Sequence, residues 1–175
     1  MKKFYPTLHS RWNNLDRRQV PHRIHMRYTD IYLMYAEALH AATGNATTVA
    51  SSYPLSAQGA INVLRDRAGI AHVNPAIVAD ANKFMDEVRR ERSVELSFEC
   101  HRWVDIRRWV LAHLPKYKTK TAVDFPQKDP VTGTYAYFNE YTLVERVCEY
   151  PKHFWLPFRT SETQLYPGFY QNPGW

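Results

Sequence analysis

The stretch ERSVELSFECHRWVDIRRW, residues 91–109, constrains the fold more than any other part of this chain. It crowds Glu91, Glu95, Glu99, Cys100, His101 and Asp105 together with Arg92, Arg102, Arg107 and Arg108. At roughly 100° per residue, Phe84, Val88, Phe98, Ile106 and Trp109 fall on one side of a helix, the pattern of a buried stripe. Glu91, Glu95, Glu99 and Arg102 fall on that same side, whereas Arg89, Arg90, Arg107 and Arg108 point elsewhere. Carboxylates four residues apart repel one another, and a buried carboxylate requires a cation or several hydrogen bonds. Any fold this chain adopts must therefore bring arginines to this face. Arg102 lies on the face itself, and Arg27 and either Arg65 or Arg67 are the candidates from elsewhere.

Those arginines lie on two earlier helical stretches. The first spans about Ile24 to Ala42 and stops at Gly44-Asn45, with Arg27, Ile31, Met34, Ala38 and Ala41 on one face. The second spans about Ser56 to Ala68 and stops at Gly69, with Ala57, Ile61, Leu64 and Ala68 on its inner face. Small residues between the two suggest a helical hairpin. The third stretch starts at Asp80, a residue suited to cap a helix N-terminus, and reaches about Ala112 before Pro115, with or without a break. Residues 116–138 read as a long polar loop. Within 135–148, segments 135–138 and 141–148 read as a pair of short strands. The Pro- and aromatic-rich tail from Pro151 is too apolar to stay free and is expected to pack irregularly.

The glutamate cluster has a structural and a catalytic reading. In the structural one, Arg27, Arg65, Glu91, Glu95, Glu99 and Arg102 form a buried ion network that fixes helix packing. In the catalytic one, paired carboxylates act as acid and base, or Glu95 or Glu99 works with His101. Metal chemistry lacks its spacing, because there is no HExxH and only His101 and Asp105 stand four apart. His101 lies off the glutamate face, and Cys100 is its immediate neighbour, so the two do not face each other. Ion networks perturb titration without being active sites, so the structural reading is preferred. It implies no catalytic residue, no metal and no cofactor.

The formal charge of +6 hints at nucleic acid, but its distribution weakens the hint. Residues 1–27 carry seven Lys/Arg against one acid, and the rest of the chain is balanced. No phosphate loop, zinc finger or RNP-like motif accompanies that basic arm. A small helical module binding nucleic acid or an acidic partner through residues 1–27 stands as the alternative function. The beginning, MKKFYPTLHSRW, has no apolar run and is not a signal peptide. Cys100 and Cys148 match no metal pattern and are expected as free, buried thiols. Trp12, Trp103, Trp155 and Trp175 have the rings to stack on sugars, yet large aromatics mostly pack, which is the expectation here. Trp109 belongs to the apolar stripe.

Five segments taken in order carry a resemblance. RYTDIYLMYAEAL (27–39), AINVLRDRAGI (60–70), ERSVELSFECHRWVDIRRW (91–109), FWLPFRTSE (154–162) and QNPGW (171–175) resemble the C-terminal motifs of the SusD/RagB family. The resemblance implies a mainly α fold of tetratricopeptide-like helical pairs, with irregular loops and a small β-hairpin. It places a family domain at 24–175, after a basic lead-in at 1–23, as a portion of a longer protein. It further implies a non-enzymatic, surface-exposed outer-membrane lipoprotein of Bacteroidetes whose lipid anchor lies outside this segment. Such a protein binds a glycan or other nutrient and acts as a lid on a SusC-like TonB-dependent transporter. No nucleic acid partner is implied, and no ligand-contacting residue of that family falls on a matching position here. Cys100 stands where the family pattern has glycine after FE. Either the third helix runs straight through, or Cys100 adopts a backbone that glycine tolerates better.

Overall fold

The computed structural model describes residues 25–126 and 128–175. The basic lead-in at 1–23, and Trp12 with it, lies outside the described residues. Helix dominates, in the order α1 (Tyr28–Thr43), α2 (Ala57–Ala68), α3 (Pro75–Val78), α4 (Ala81–Glu95), α5 (His101–Arg108), α6 (Pro115–Lys118) and α7 (Thr160–Thr163). Two antiparallel strand pairs punctuate them, β1 (Val49–Ala50) with β2 (Tyr53–Ser56) and β3 (Thr119–Asp124) with β4 (Asn139–Glu145). The chain divides into two compact units between His101 and Arg102.

In the first unit α1 packs on α2 and α4. Its core is Ala36, Ala46, Ala57, Ala60, Ile61, Val73, Phe84 and Val88, extended by Leu33, Leu64 and Leu96. Each main helix begins and ends where local chemistry dictates. The Ser56 hydroxyl accepts from the Gly59 amide at 3.0 Å to open α2. The Asp80 carboxylate accepts from the Asn82 and Lys83 amides at 3.0 and 3.1 Å to open α4. Gly44 and Gly69 close α1 and α2 with φ of 67° and 68°, the left-handed turn that favours glycine.

The buried face of α1 differs from the expected one. Ile31, Met34, Ala38 and Ala41 are exposed, and Thr29, Asp30, Leu33, Ala36 and His40 are buried. The inward polar groups are satisfied there: Asp30 meets Arg92, and the His40 Nε2 lies 2.9 Å from the Ala81 carbonyl oxygen. Counting apolar residues alone favoured the wrong face.

The third helical stretch is broken. α4 ends at Glu95, residues 96–100 form turns, and α5 starts at His101. Phe98 and Cys100 adopt φ of 65° and 67°, so Cys100 takes the left-handed conformation that the family pattern gives to glycine. The break ends the constant twist that the wheel assumes, and Phe98 is 68% exposed instead of lying in the stripe. Both cysteines are free, but only Cys148 is buried, and Cys100 is exposed.

The second unit centres on Ile106, Ala112, Tyr117 and Cys148, with Leu111 and Phe154 against them. Its hairpin corrects the expected strand pairing. β4 pairs with residues 119–124, inside the segment read as loop, and 135–138 form no strand. The alternation of Thr119, Thr121 and Val123 with Lys120, Ala122 and Asp124 is too weakly apolar to announce a strand, and the partner β4 supplies its hydrogen bonds. No described helix is long and apolar enough to cross a membrane.

Candidate functional site

In the first unit the glutamates of α4 meet arginines of α2 and of the residue preceding α1. Arg65, which is 7% exposed, donates from Nε to Glu91 Oε1 at 3.0 Å, from Nη2 to the same oxygen at 2.5 Å, and also to Glu87. Its Nη1 donates to the Ala71 carbonyl at 3.2 Å. Arg90 closes the group from outside, 2.7 Å from Glu87 and 2.8 Å from Glu91. One turn further along α4, Arg67 pairs with Glu95. Arg27 reaches Glu95 at 3.1 Å and Glu99 at 2.9 Å, and its Nε lies 3.1 Å from both Glu99 oxygens. Arg92 and Asp30 form a further buried pair at 2.6 Å.

The structure thus places Arg27, Arg65, Glu91, Glu95 and Glu99 in ion pairs. Arg102 is not where the wheel put it. It lies beyond the break, exposed, with its guanidinium 5.4 Å from the centre of the Tyr117 ring. Five further participants were missed. Glu87 sits one turn before Glu91, and Arg90 was expected to be solvated, yet both join the Arg65 group. Asp30 and Arg92 pair across 62 residues of sequence. Thr29 is a hub in its own right, because its hydroxyl accepts from Arg27 at 2.8 Å and from Arg67 at 3.1 Å. The one signal available for Glu87 was the i, i+4 series Glu87, Glu91, Glu95.

The electrostatics of this group suit holding charge rather than moving protons. For Glu87 the hydrogen bond from Arg90 is the strongest influence. Burial opposes it, but the charges of Arg90 and Arg65 add to it and keep the carboxyl below the usual range. For Glu95 burial is the largest single influence and opposes ionisation. The hydrogen bonds and charges of Arg67 and Arg27 together outweigh it, so this carboxyl is also held low. A general acid needs a carboxyl held high, near the working pH, and these two are shifted the opposite way. Among the described residues no group of three or more His, Cys, Asp or Glu side chains is placed to hold a metal.

The second unit contains a cleft of about 550 Å³ between α5 and residues 150–155, lined by aromatic side chains together with valines and arginines. That volume falls within the range of small-molecule sites. Trp103, Arg107, Val110, Tyr150, Phe154 and Trp155 line it. Trp103 and Trp155 are 51% and 60% exposed, so the expectation that they pack away is corrected. Trp175 is also 47% exposed, but its indole nitrogen donates to the Lys152 and Trp155 carbonyls at 2.8 and 3.0 Å. Trp175 thereby fixes the backbone that carries Trp155. Trp109 is half-buried, with the Arg108 guanidinium 4.6 Å from its ring centre. Arg107 stacks on Trp103 at 5.3 Å and donates to the Phe154 carbonyl, tying the two walls of the cleft together.

Comparison with known proteins places this architecture. A model of the SusD family matches residues 1–175. SusD-like protein P2 of Formosa agariphila is 35% identical over 96 residues, which is 51% of this chain and 17% of that protein. The crystal structure of a SusD-like protein from Bacteroides fragilis superposes with a TM-score of 0.63 at 28% identity, covering 86% of this chain and 25% of that one. The chain spans about a quarter or less of the length of these relatives. With a family match running its whole length, and with the same helical architecture in a solved relative, the chain belongs to the SusD family.

Proposed function

We propose that this chain is part of the nutrient-binding, non-catalytic component of a SusCD-type outer-membrane uptake system. In this reading it captures a glycan or related nutrient at the cell surface and acts as a lid on a TonB-dependent transporter. A lipid anchor outside residues 1–175 holds the protein to the membrane. The observation that carries the reading is the family match along residues 1–175, joined by relatives that are themselves named SusD-like. The site chemistry supports it. The acidic cluster that suggested a hydrolase consists of carboxylates paired with arginine, with Glu87 and Glu95 held ionised, and the exposed tryptophans offer binding surface instead.

The nucleic-acid alternative rests on residues 1–27. Of these, Arg27 is engaged by Glu95 and Glu99, which removes it from any phosphate-binding arm. Affinity purification of the tagged protein from outer membranes, followed by calorimetry with oligosaccharides, tests the proposal. The expected result is co-purification of a transporter and saccharide binding without hydrolysis products. Turnover of a bound oligosaccharide, or salt-sensitive retention of RNA with no saccharide binding, would overturn it.

A further inference from the structure

The cleft of the second unit combines two features that point to one kind of ligand. Its walls present two exposed indole rings, Trp103 on α5 and Trp155 on the facing segment, held by Arg107 and Trp175. Its charged lining is cationic, because Arg107 and Arg108 line it and no carboxylate does. Arg108 is neutralised by Asp105 at 2.9 Å, so its charge is already spent. Arg107 has no carboxylate partner among the described residues. It donates to the Phe154 carbonyl and stacks on Trp103. A guanidinium offers five N–H donors in a planar fork. Those of Arg107 not used by Phe154 meet no protein acceptor among the described residues. An uncompensated guanidinium held rigidly beside apolar walls favours a planar or tetrahedral oxyanion.

We infer that this cleft binds an acidic saccharide, a sugar bearing a carboxylate or a sulfate ester, with its C–H face on the indole rings and its anion on Arg107. The inference rests on the nutrient-binding reading and deepens it by naming the ligand class and the residues that select it. Trp103 and Trp155 supply contact area to any sugar ring, and Arg107 discriminates charged from neutral sugars. The unmatched charge loses a hydration shell on ligand entry and regains its partner only from an anion.

Calorimetry and indole fluorescence with trigalacturonate, a sulfated galactan oligosaccharide and maltoheptaose test this on the whole chain. Binding of trigalacturonate or the sulfated oligosaccharide is expected, weakened about tenfold or more by R107Q and by raising sodium chloride to about 0.5 M, where charge screening is short-ranged. The arm that binds more tightly identifies the anion as carboxylate or sulfate. W155A is expected to abolish binding of either. R107Q also loses the contact to Phe154, so its melting is compared with wild type, and the salt titration of the unaltered chain reads the charge independently. Equal affinity for maltoheptaose, or acidic-sugar binding indifferent to salt and to R107Q, would overturn the inference while leaving the nutrient-binding reading intact. Saccharide binding unaffected by W103A and W155A would also overturn it, because the site would then lie elsewhere. Failure of all three sugars to bind, together with no transporter co-purifying, would remove both.

Discussion

Replacing Arg65 by alanine isolates what the ion network contributes. Arg65 supplies the three N–H contacts that α2 makes to Glu87 and Glu91, plus one to the Ala71 carbonyl. The side chains of Glu87 and Glu91 are 10% and 8% exposed, so water reaches them poorly once the guanidinium is gone. Breaking a buried pair by removing one partner costs about 3–5 kcal/mol, because the other partner stays buried and charged. Arg90, 53% exposed, remains hydrogen-bonded to both carboxylates and is the strongest single influence on Glu87, so the two are not left wholly uncompensated. The loss is therefore placed at the lower end, about 3 kcal/mol. With a urea slope of about 1–3 kcal/mol/M, the unfolding midpoint should fall by about 1–3 M. Two companion measurements separate charge from packing. The gap between wild type and Arg65→Ala should narrow as the pH falls below about 4, where carboxylates take up protons in both states. Arg65→Met combined with Glu91→Leu should be less destabilised than the sum of the two single changes, with a coupling of about 1 kcal/mol or more. A loss below about 1 kcal/mol with no coupling would refute the argument that these charges are buried and interdependent.

Further predictions concern pH and backbone. Glu87 and Glu95 are held below the usual carboxylate value, so on acidification the unfolded chain binds protons before the folded one does. Their contribution is complete above the usual value of about 4.3 and is lost as pH falls through the lowered folded values. Melting temperatures should therefore be flat from about pH 5 to 7 and drop below about 4, and an unchanged melt at about pH 3 would contradict this. Cys100→Gly should stabilise the chain by about 1 kcal/mol, because a φ of 67° strains an L-residue and the exposed thiol buries little. A destabilised glycine variant in thermal melts would show that the side chain holds the turn. Gly69→Ala should cost about 1 kcal/mol from backbone strain alone, since an added Cβ at this φ of 68° would meet nothing within 4 Å. A chemical melt matching wild type would show that the C-terminal turn of α2 relaxes freely.

The sequence by itself determined the helices that local chemistry can specify. Ser56 and Asp80 stand where caps are needed, Gly44 and Gly69 where the chain must turn left-handed, and Phe84 and Val88 at stripe positions within the uninterrupted turns of α4. It also revealed that buried glutamates at 91, 95 and 99 demand arginines, because that requirement follows from desolvation alone. The ordered motifs carried the family. What the sequence could not decide were quantities set by distant groups. A wheel assumes constant twist, and the left-handed residues at 98 and 100 end it, exposing Phe98 and sending Arg102 to Tyr117. The face α1 buries was decided by partners for Asp30 and His40 that lie 62 and 41 residues away. Which arginine serves which glutamate, and that Trp103 and Trp155 face a cleft instead of a core, depend on packing between segments far apart in sequence. Only tertiary structure brings those segments together, because burial and pairing are properties of a three-dimensional neighbourhood and local spacing constrains them weakly.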